Sequence, residues 1–289
     1  MGKAWVFDAL DEATPLDTTG GHTWPAARHL AEYLSAAADQ LGLSTPGVHI
    51  LELGAGTGWL GVTVARNLPA AALVCLTEQP GDGLAHLQRN VELNLGQGMP
   101  LDHVRLVVCD WREIAEMAGD SYRNGAGAAA AMVGASDAGC TNQQVVQLGE
   151  EKHDEQQQRR EQQQQAVGTG REQLSSEIDL AGISWDFIIG SDLVYNHVGS
   201  RCLPRVLAAF ADSSTCIIYC HTRHRYDLLD AELFTELEAC GLRSLEVRGR
   251  RRNAALVRWK LERQVADSCS SHQCRCGSQT QSRRSLCRL

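Results

Sequence analysis

The chain has 289 residues, of which 43% are hydrophobic and 5% aromatic, which allows one large domain or two small ones with a buried core. Its formal net charge of −8 gives no general basic field that would draw it onto nucleic acid, so we expect no nucleic-acid partner. No apolar run approaches the roughly 20 residues that cross a bilayer, and no secretory signal opens the chain. We therefore expect no membrane partner and a cytoplasmic monomer, with nuclear residence left open.

The amino-acid composition divides the chain into segments of different kinds. Residues 1–22 are predicted to be a partly flexible lead-in, and residues 23–262 the main domain. A stretch at about 119–182, rich in Gln, Glu and Arg, has almost no large apolar residues, so burial cannot offset its ordering entropy. We predict a disordered insertion there, and a second disordered segment in the tail at 263–289.

Strands and helices alternate within the domain. Short apolar runs typical of strands buried on both faces lie at 48–53, 72–78, 104–110, 185–192 and 215–221. Helical patterns fall between them, over Trp59–Asn67, Gly83–Leu95, Val198–Ala211 and Tyr226–Ala239. This alternation predicts a doubly wound, mostly parallel sheet with helices on both faces, and hence an α/β fold.

The end of the domain follows a different pattern. Residues 242–262 are predicted to form two strands joined by the short turn Gly249–Asn253, which is too short for a crossover helix. Since parallel strands need a crossover of a dozen or more residues, this pair must be antiparallel. The predicted sheet therefore has seven strands and ends in an antiparallel C-terminal hairpin.

A glycine-rich loop follows the first predicted strand and has two interpretations. Gly56, Gly58 and Gly61 fit the dinucleotide fingerprint G-x-G-x-x-G, which favours a nicotinamide-dependent oxidoreductase. Glu52, two positions before Gly54, favours a cationic ligand instead, because a carboxylate there would repel a pyrophosphate. S-adenosylmethionine carries an ammonium and a sulfonium and no phosphate, so Glu52 points to this cofactor.

Acidic residues close four consecutive predicted strands. In an open parallel sheet the carboxyl ends of the strands lie along one edge, where ligands bind at the topological switch point. Each acid alone is more simply a helix N-cap or a solvated loop residue. Together they predict one cleft, formed by Glu52, Glu78, Asp110 and Asp192.

These motifs together resemble methyltransferase family 16, a group of class I methyltransferases with many protein-lysine methyltransferases. The resemblance is carried by the glycine loop after the acid-bearing strand, by Asn90–Asn94, by Cys109–Trp111 and by Asp192–Tyr195, and the segment around Trp24 is similar to the family's lead-in. It covers about 20–261, interrupted by the insertion. It implies a Rossmann-like methyltransferase fold and S-adenosyl-L-methionine as the cofactor.

The resemblance also implies roles for individual residues. Glu52, Gly54, Gly56 and Gly58 should hold the methionine end of the cofactor, and Glu78 its ribose hydroxyls. Asp110 and Trp111 should border the adenine, and Trp24 should cover the cofactor from the N-terminal side. Asp192 and Tyr195 should line the mouth where the acceptor amine meets the methyl group, so they are the candidate catalytic residues. No metal site is expected.

The family resemblance favours a protein substrate that presents a lysine. The same scaffold also serves methylation of other protein side chains or of small molecules, and the cofactor-side residues do not distinguish these. A non-catalytic module that recruits partners through the Gln-rich insertion is a further alternative, although the intact acids argue against a decayed site.

Overall fold

A computed structural model describes residues 4–11, 19–123, 178–222, 227–247 and 254–261. Within these ranges seven strands form one sheet, namely β1 His49–Leu53, β2 Leu73–Glu78, β3 Val104–Val108, β4 Phe187–Ser191, β5 Cys216–Thr222, β6 Leu242–Val247 and β7 Ala254–Leu261. The α-helices of the described residues are α1 Pro25–Leu41, α2 Trp59–Asn67, α3 Asp82–Gly96, α4 Trp111–Arg123, α5 His197–Phe210 and α6 Asp227–Ala239. Among them, none has the length and apolar character needed to cross a membrane.

The strand order β3-β2-β1-β4-β5-β7-β6 confirms the predicted fold class. Strands β1 to β5 are parallel to one another, and β7 lies antiparallel between β5 and β6. The chain reverses its direction of winding between β1 and β4. That reversal creates a crevice at the carboxyl ends of the central strands, where open α/β sheets bind ligands.

Helices cover both faces of the sheet, and each face has its own apolar cluster. Neighbouring residues of β1 alternate between the clusters, with Ile50 in one and Leu51 in the other, as the two-residue period of a strand requires. The first cluster includes α1 and α2, through buried residues such as Leu34 and Leu60. The second includes α5 and α6. A sheet buried on both faces explains why the central strands are continuous apolar runs.

Both ends of the predicted disordered insertion, at about 119–182, fall among the described residues. Its first residues complete α4, and Leu180–Gly182 form a 3-10 turn before β4. Leu180 is buried, and its carbonyl accepts a hydrogen bond from the Trp185 indole N–H at 2.9 Å. Two isolated apolar residues, Ile178 and Leu180, anchor this end to the core, a signal hidden by the polar composition around them. The rest of the insertion, 124–177, and the tail at 263–289 lie outside the described residues.

Residues 4–11, here called the N-terminal strap, run extended across α2 and α3. The Asn94 side chain accepts from the Leu10 N–H and donates to the Leu10 carbonyl, both at 2.8 Å. Asn67 makes the same pair of bonds with Val6, both at 2.7 Å. Each amide thereby serves the backbone groups of one strap residue, as a neighbouring strand would.

We expect Asn94→Ala to cost about 2 kcal/mol of unfolding free energy, because the fully buried amide loses its bonds to the Leu10 backbone and to the Asn90 carbonyl. The exposed counterpart Asn67→Ala should cost under about 1 kcal/mol, because water can replace its bonds. Urea unfolding of both variants measures the two costs. Equal losses would show that burial of the amide is unimportant to how the strap is held.

Candidate active site

A cavity of about 200 Å³ opens at the carboxyl ends of β1 to β4. Its walls come from the strand ends, the loop after β1, the start of α4 and the segment before α1. The structure thus brings together residues that are far apart in sequence. Of the residues predicted for the site, those that line the cavity are Trp24, Glu52, Gly54, Gly56, Glu78, Asp110, Trp111, Asp192 and Tyr195.

Gly58 is the one predicted site residue that does not line this cavity. It precedes α2 with a positive φ of 77°, and a Cβ atom there would clash with the Leu87 side chain of α3. The sequence motif cannot separate these functions, because the same glycine spacing serves ligand approach and helix packing. Gly58 therefore allows α3 to pack closely against the loop, and it does not itself line the cavity.

Glu52 points from β1 into the cavity wall and is 2% exposed. Burial raises the pKa of its carboxyl from 4.5 to about 8, against a lowering by the Gly61 backbone N–H, and nearby Glu78 raises it further. Its Oε2 atom is buried and has no hydrogen-bond partner among the described residues. Such an oxygen is costly in the free protein, so it marks a place where a cationic or hydrogen-donating ligand would bind.

Glu78 connects the end of β2 to the glycine loop. Its Oε2 accepts the Gly56 N–H at 2.8 Å, and its Oε1 accepts the Gln79 N–H at 3.1 Å. Burial raises the pKa of Glu78, and these two backbone bonds partly oppose that rise. The carboxylate is thereby held in one orientation at the cavity wall, where its oxygens can accept from a pair of hydroxyl groups.

Asp110 and Trp111 form the wall beyond β3. The Oδ1 atom of Asp110 accepts the Arg112 N–H at 2.9 Å, so the residue caps α4 as well as lining the cavity. A Cβ atom at Gly54 would lie 3.4 Å from the Trp111 ring and 2.8 Å from Leu193. The glycine therefore allows the loop after β1 to approach both neighbouring walls of the cavity.

The segment before α1 closes the cavity from the N-terminal side. Trp24 precedes the first residue of α1, and its ring centroid lies 4.2 Å from that of His22. The Thr23 hydroxyl lies 2.7 Å from the Thr57 hydroxyl of the glycine loop and also bonds to Asp11 at the end of the N-terminal strap. The N-terminal strap, the segment before α1 and the glycine loop are therefore joined by hydrogen bonds.

The wall after β4 is a braced turn that contains Asp192 and Tyr195. The Leu193 N–H donates to the Tyr219 hydroxyl at 3.2 Å, and Asn196 caps α5 by accepting the Gly199 N–H at 2.9 Å. Tyr195 is 40% exposed at the cavity mouth. This exposure does not agree with a role for Tyr195 as a core aromatic packed on the sheet.

Several cavity residues were not predicted from the sequence. Thr57 lies between Gly56 and Gly58, so its place within the glycine motif could have indicated that it lines the cavity. His22 and Thr23 lie just before Trp24, and only their proximity to that residue could have suggested them. Arg112 and Asn196 also line the cavity, at the first turns of α4 and α5.

The family model described as lysine methyltransferase matches residues 10–123. Similar solved structures include MtNAS in complex with S-adenosylmethionine, at 15% identity over 81% of this chain and 62% of that one, with a TM-score of 0.42. TYW2 of M. jannaschii in complex with AdoMet matches at 13% identity over 83% and 79% of the two chains, with a TM-score of 0.39. TrmN from Thermus thermophilus matches at 12% identity over 82% and 53%, with a TM-score of 0.43.

The chain spans 62% of the length of MtNAS and 53% of that of TrmN. Structural similarities of this size say nothing about the substrate. The family match is informative in another way, because residues 10–123 include the glycine loop and the ends of β1, β2 and β3. The sheet has the Rossmann-like methyltransferase fold, and residues 10–123 are similar to the lysine methyltransferase family.

Proposed function

We propose that this protein uses S-adenosylmethionine to methylate a lysine side chain of another protein. The observation that carries the proposal is the buried Glu52 carboxyl, with an oxygen that lacks a partner among the described residues, in the wall of a cavity that three further acids also line. A cationic ligand would satisfy that oxygen. A pyrophosphate has only acceptor oxygens and could not satisfy it, which disfavours a dinucleotide.

The residues of the cavity fit the cofactor group by group. Glu52 and the backbone of the glycine loop would hold the charged methionine end, and Glu78 the ribose hydroxyls. Asp110 and Trp111 would border the adenine, and Trp24 would cover the bound molecule. When bound, the cofactor supplies a methyl group on a positively charged sulfur, so it needs no further activation by the protein.

The protein must then align a neutral amine with that methyl group. A lysine amine has a reference pKa of about 10.4 and is charged at neutral pH, so it must lose a proton first. Desolvation at the cavity mouth lowers the pKa of an entering amine. Asp192 and Tyr195 line that mouth, and we assign them to positioning the amine while water takes the proton. The description of the matching family supports lysine as the acceptor.

Isothermal titration with S-adenosylmethionine, with NADH as the parallel control, tests the cofactor. We expect micromolar affinity for the methyl donor, about −8 kcal/mol, and no binding of NADH. Incubation with cell extract and a methyl-labelled donor, followed by mass spectrometry for methyllysine, tests the acceptor. If the label appeared only in small molecules or in other side chains, methyltransferase activity would be supported and lysine as the acceptor would be overturned.

Glu78→Ala should weaken binding of S-adenosylmethionine about tenfold to a hundredfold, because two charge-assisted hydrogen bonds to the ribose are lost. The change also removes the acceptor of the Gly56 N–H. Glu78→Gln keeps one acceptor oxygen and should lose less. Titration calorimetry measures both, and unchanged affinity in the alanine variant would overturn the ribose assignment.

A further inference from the structure

The Asp192 carboxylate is held by the end of the neighbouring strand. Its Oδ1 accepts the Thr222 backbone N–H at 2.7 Å, and its Oδ2 accepts the Thr222 hydroxyl at 3.1 Å. The Asp192 N–H in turn donates to the Cys220 carbonyl at 2.9 Å. One residue of β5 thus contacts both carboxylate oxygens of a residue that follows β4.

The backbone of Asp192 is in a conformation that costs free energy. Its φ of 49° lies in the left-handed region, and it is the only residue other than glycine with a positive φ in the described parts of the chain. Such a conformation costs on the order of 1 kcal/mol and persists where surrounding bonds determine it. Strained residues of this kind cluster at functional sites.

We propose that Thr222 is a positioning residue that fixes the Asp192 carboxylate at the cavity mouth, so that the site selects a cationic amine as acceptor over a neutral group. This inference rests on the proposed function. Each carboxylate oxygen has two lone pairs, so a bond to Thr222 is compatible with a further bond to an ammonium. A carboxylate fixed in advance binds an ammonium without the entropic cost of ordering its side chain.

A second residue of β5 supports the same turn. Tyr219, three residues before Thr222, accepts the Leu193 N–H next to Asp192. Tyr219 therefore holds the backbone of the turn, and Thr222 holds its side chain. Removing the Thr222 hydroxyl should consequently alter the carboxylate orientation while the fold of the turn remains.

The test uses n-butylammonium as a probe, because it reproduces the lysine side chain from Cβ to the amine. The full-length protein is saturated with S-adenosylhomocysteine, and probe binding is followed by ligand-observed NMR. We expect a dissociation constant of about 10 mM, within the range open to so small a ligand, and about tenfold weaker binding of neutral n-butanol.

Three variants separate positioning from stability. Thr222→Val keeps the backbone bond and the side-chain shape but removes the hydroxyl, and should weaken n-butylammonium binding about fivefold. Thr222→Ser should restore wild-type affinity, and Asp192→Asn should abolish the preference for the cation. Thr235→Val, which removes an exposed hydroxyl that bonds within α6, is the matched control and should change nothing.

The outcomes distinguish this inference from the proposed function. Failure to bind S-adenosylhomocysteine overturns the proposed function and the inference with it. Normal cofactor binding with equal affinity for n-butylammonium and n-butanol, or with no binding of either, overturns the inference alone. A Thr222→Val protein that loses thermal stability but keeps the cation preference would show that the hydroxyl is structural and does not position Asp192.

Discussion

Glu52→Gln is expected to stabilise the free protein and to weaken cofactor binding. Ionising a carboxyl whose pKa is raised by burial costs folding free energy, whereas the neutral amide has no such cost. The gain in unfolding free energy should be about 2 kcal/mol at pH 9. Loss of the carboxylate that we propose to face the methionine end should weaken S-adenosylmethionine binding about a hundredfold. Thermal unfolding and titration calorimetry measure the two effects.

The sign of the pH dependence follows from the raised pKa. The folded protein holds the Glu52 proton up to about pH 8, whereas the unfolded chain releases it near pH 4.5. The contribution of this group to stability is therefore lost progressively as the pH rises from about 4.5 to about 8. The gain from Glu52→Gln should be large at pH 9 and small at pH 5. Glu238→Gln, which makes the same change on the exposed face of α6, is the matched control.

Cofactor binding should show the opposite trend with pH. A cationic ligand requires the ionised form of Glu52, so binding releases a proton and affinity rises as the pH increases toward about 8. Between about pH 6 and 7.5 the ligand's α-amino group remains mostly protonated, which isolates the contribution of Glu52. A wild-type affinity that is flat across this interval would overturn the assignment of Glu52 to the cationic end of the ligand.

Gly61→Ala is expected to lower the free energy of unfolding by about 3 kcal/mol and to abolish cofactor binding. A Cβ atom there would overlap the Glu52 Oε2 atom and lie 2.7 Å from Leu76 Cγ. Both neighbours belong to the buried central strands and have little room to move. The added methyl group would therefore displace the Glu52 carboxylate or force α2 away from the sheet. Urea unfolding and calorimetry with S-adenosylmethionine measure the two losses.

Gly96→Ala is the matched control for this substitution. Gly96 is also helical, at the end of α3, and a Cβ atom there has nothing within 4 Å. Alanine favours the helix over glycine by up to about 1 kcal/mol, so this variant should be as stable as the wild type or slightly more stable. If both alanine variants were equally stable, the close approach of Gly61 to Glu52 would be unimportant.

The sequence predicted the sheet and the acids of the cavity because both depend on short-range patterns. Apolar runs define buried strands, and the parallel topology then brings the strand ends to one edge. Glu52, Glu78, Asp110 and Asp192 could therefore be grouped without knowledge of any contact between them. The helix α2 was also predicted with the boundaries that the structure has.

Other features depend on contacts between distant residues and could not be predicted in this way. Asn94 bonds Leu10 across 84 positions, and Thr222 bonds Asp192 across 30, with no local pattern to indicate either pair. The helix α4 was missed for another reason. It runs directly into the polar insertion, and its buried side rests on few apolar residues, including Ile114 and Ala115.

The order of the sheet divides the cavity between two consecutive parts of the chain. Residues before 124 supply Trp24, Glu52, Glu78 and Asp110, whereas residues after 177 supply Asp192, Tyr195 and the bracing Thr222. Within the sheet the two parts pair at β1 and β4, and α4 packs against α5 across the same boundary. Under the proposed function, substitutions in the second part would therefore change the acceptor side of the cavity while the donor side in the first part stays as it is.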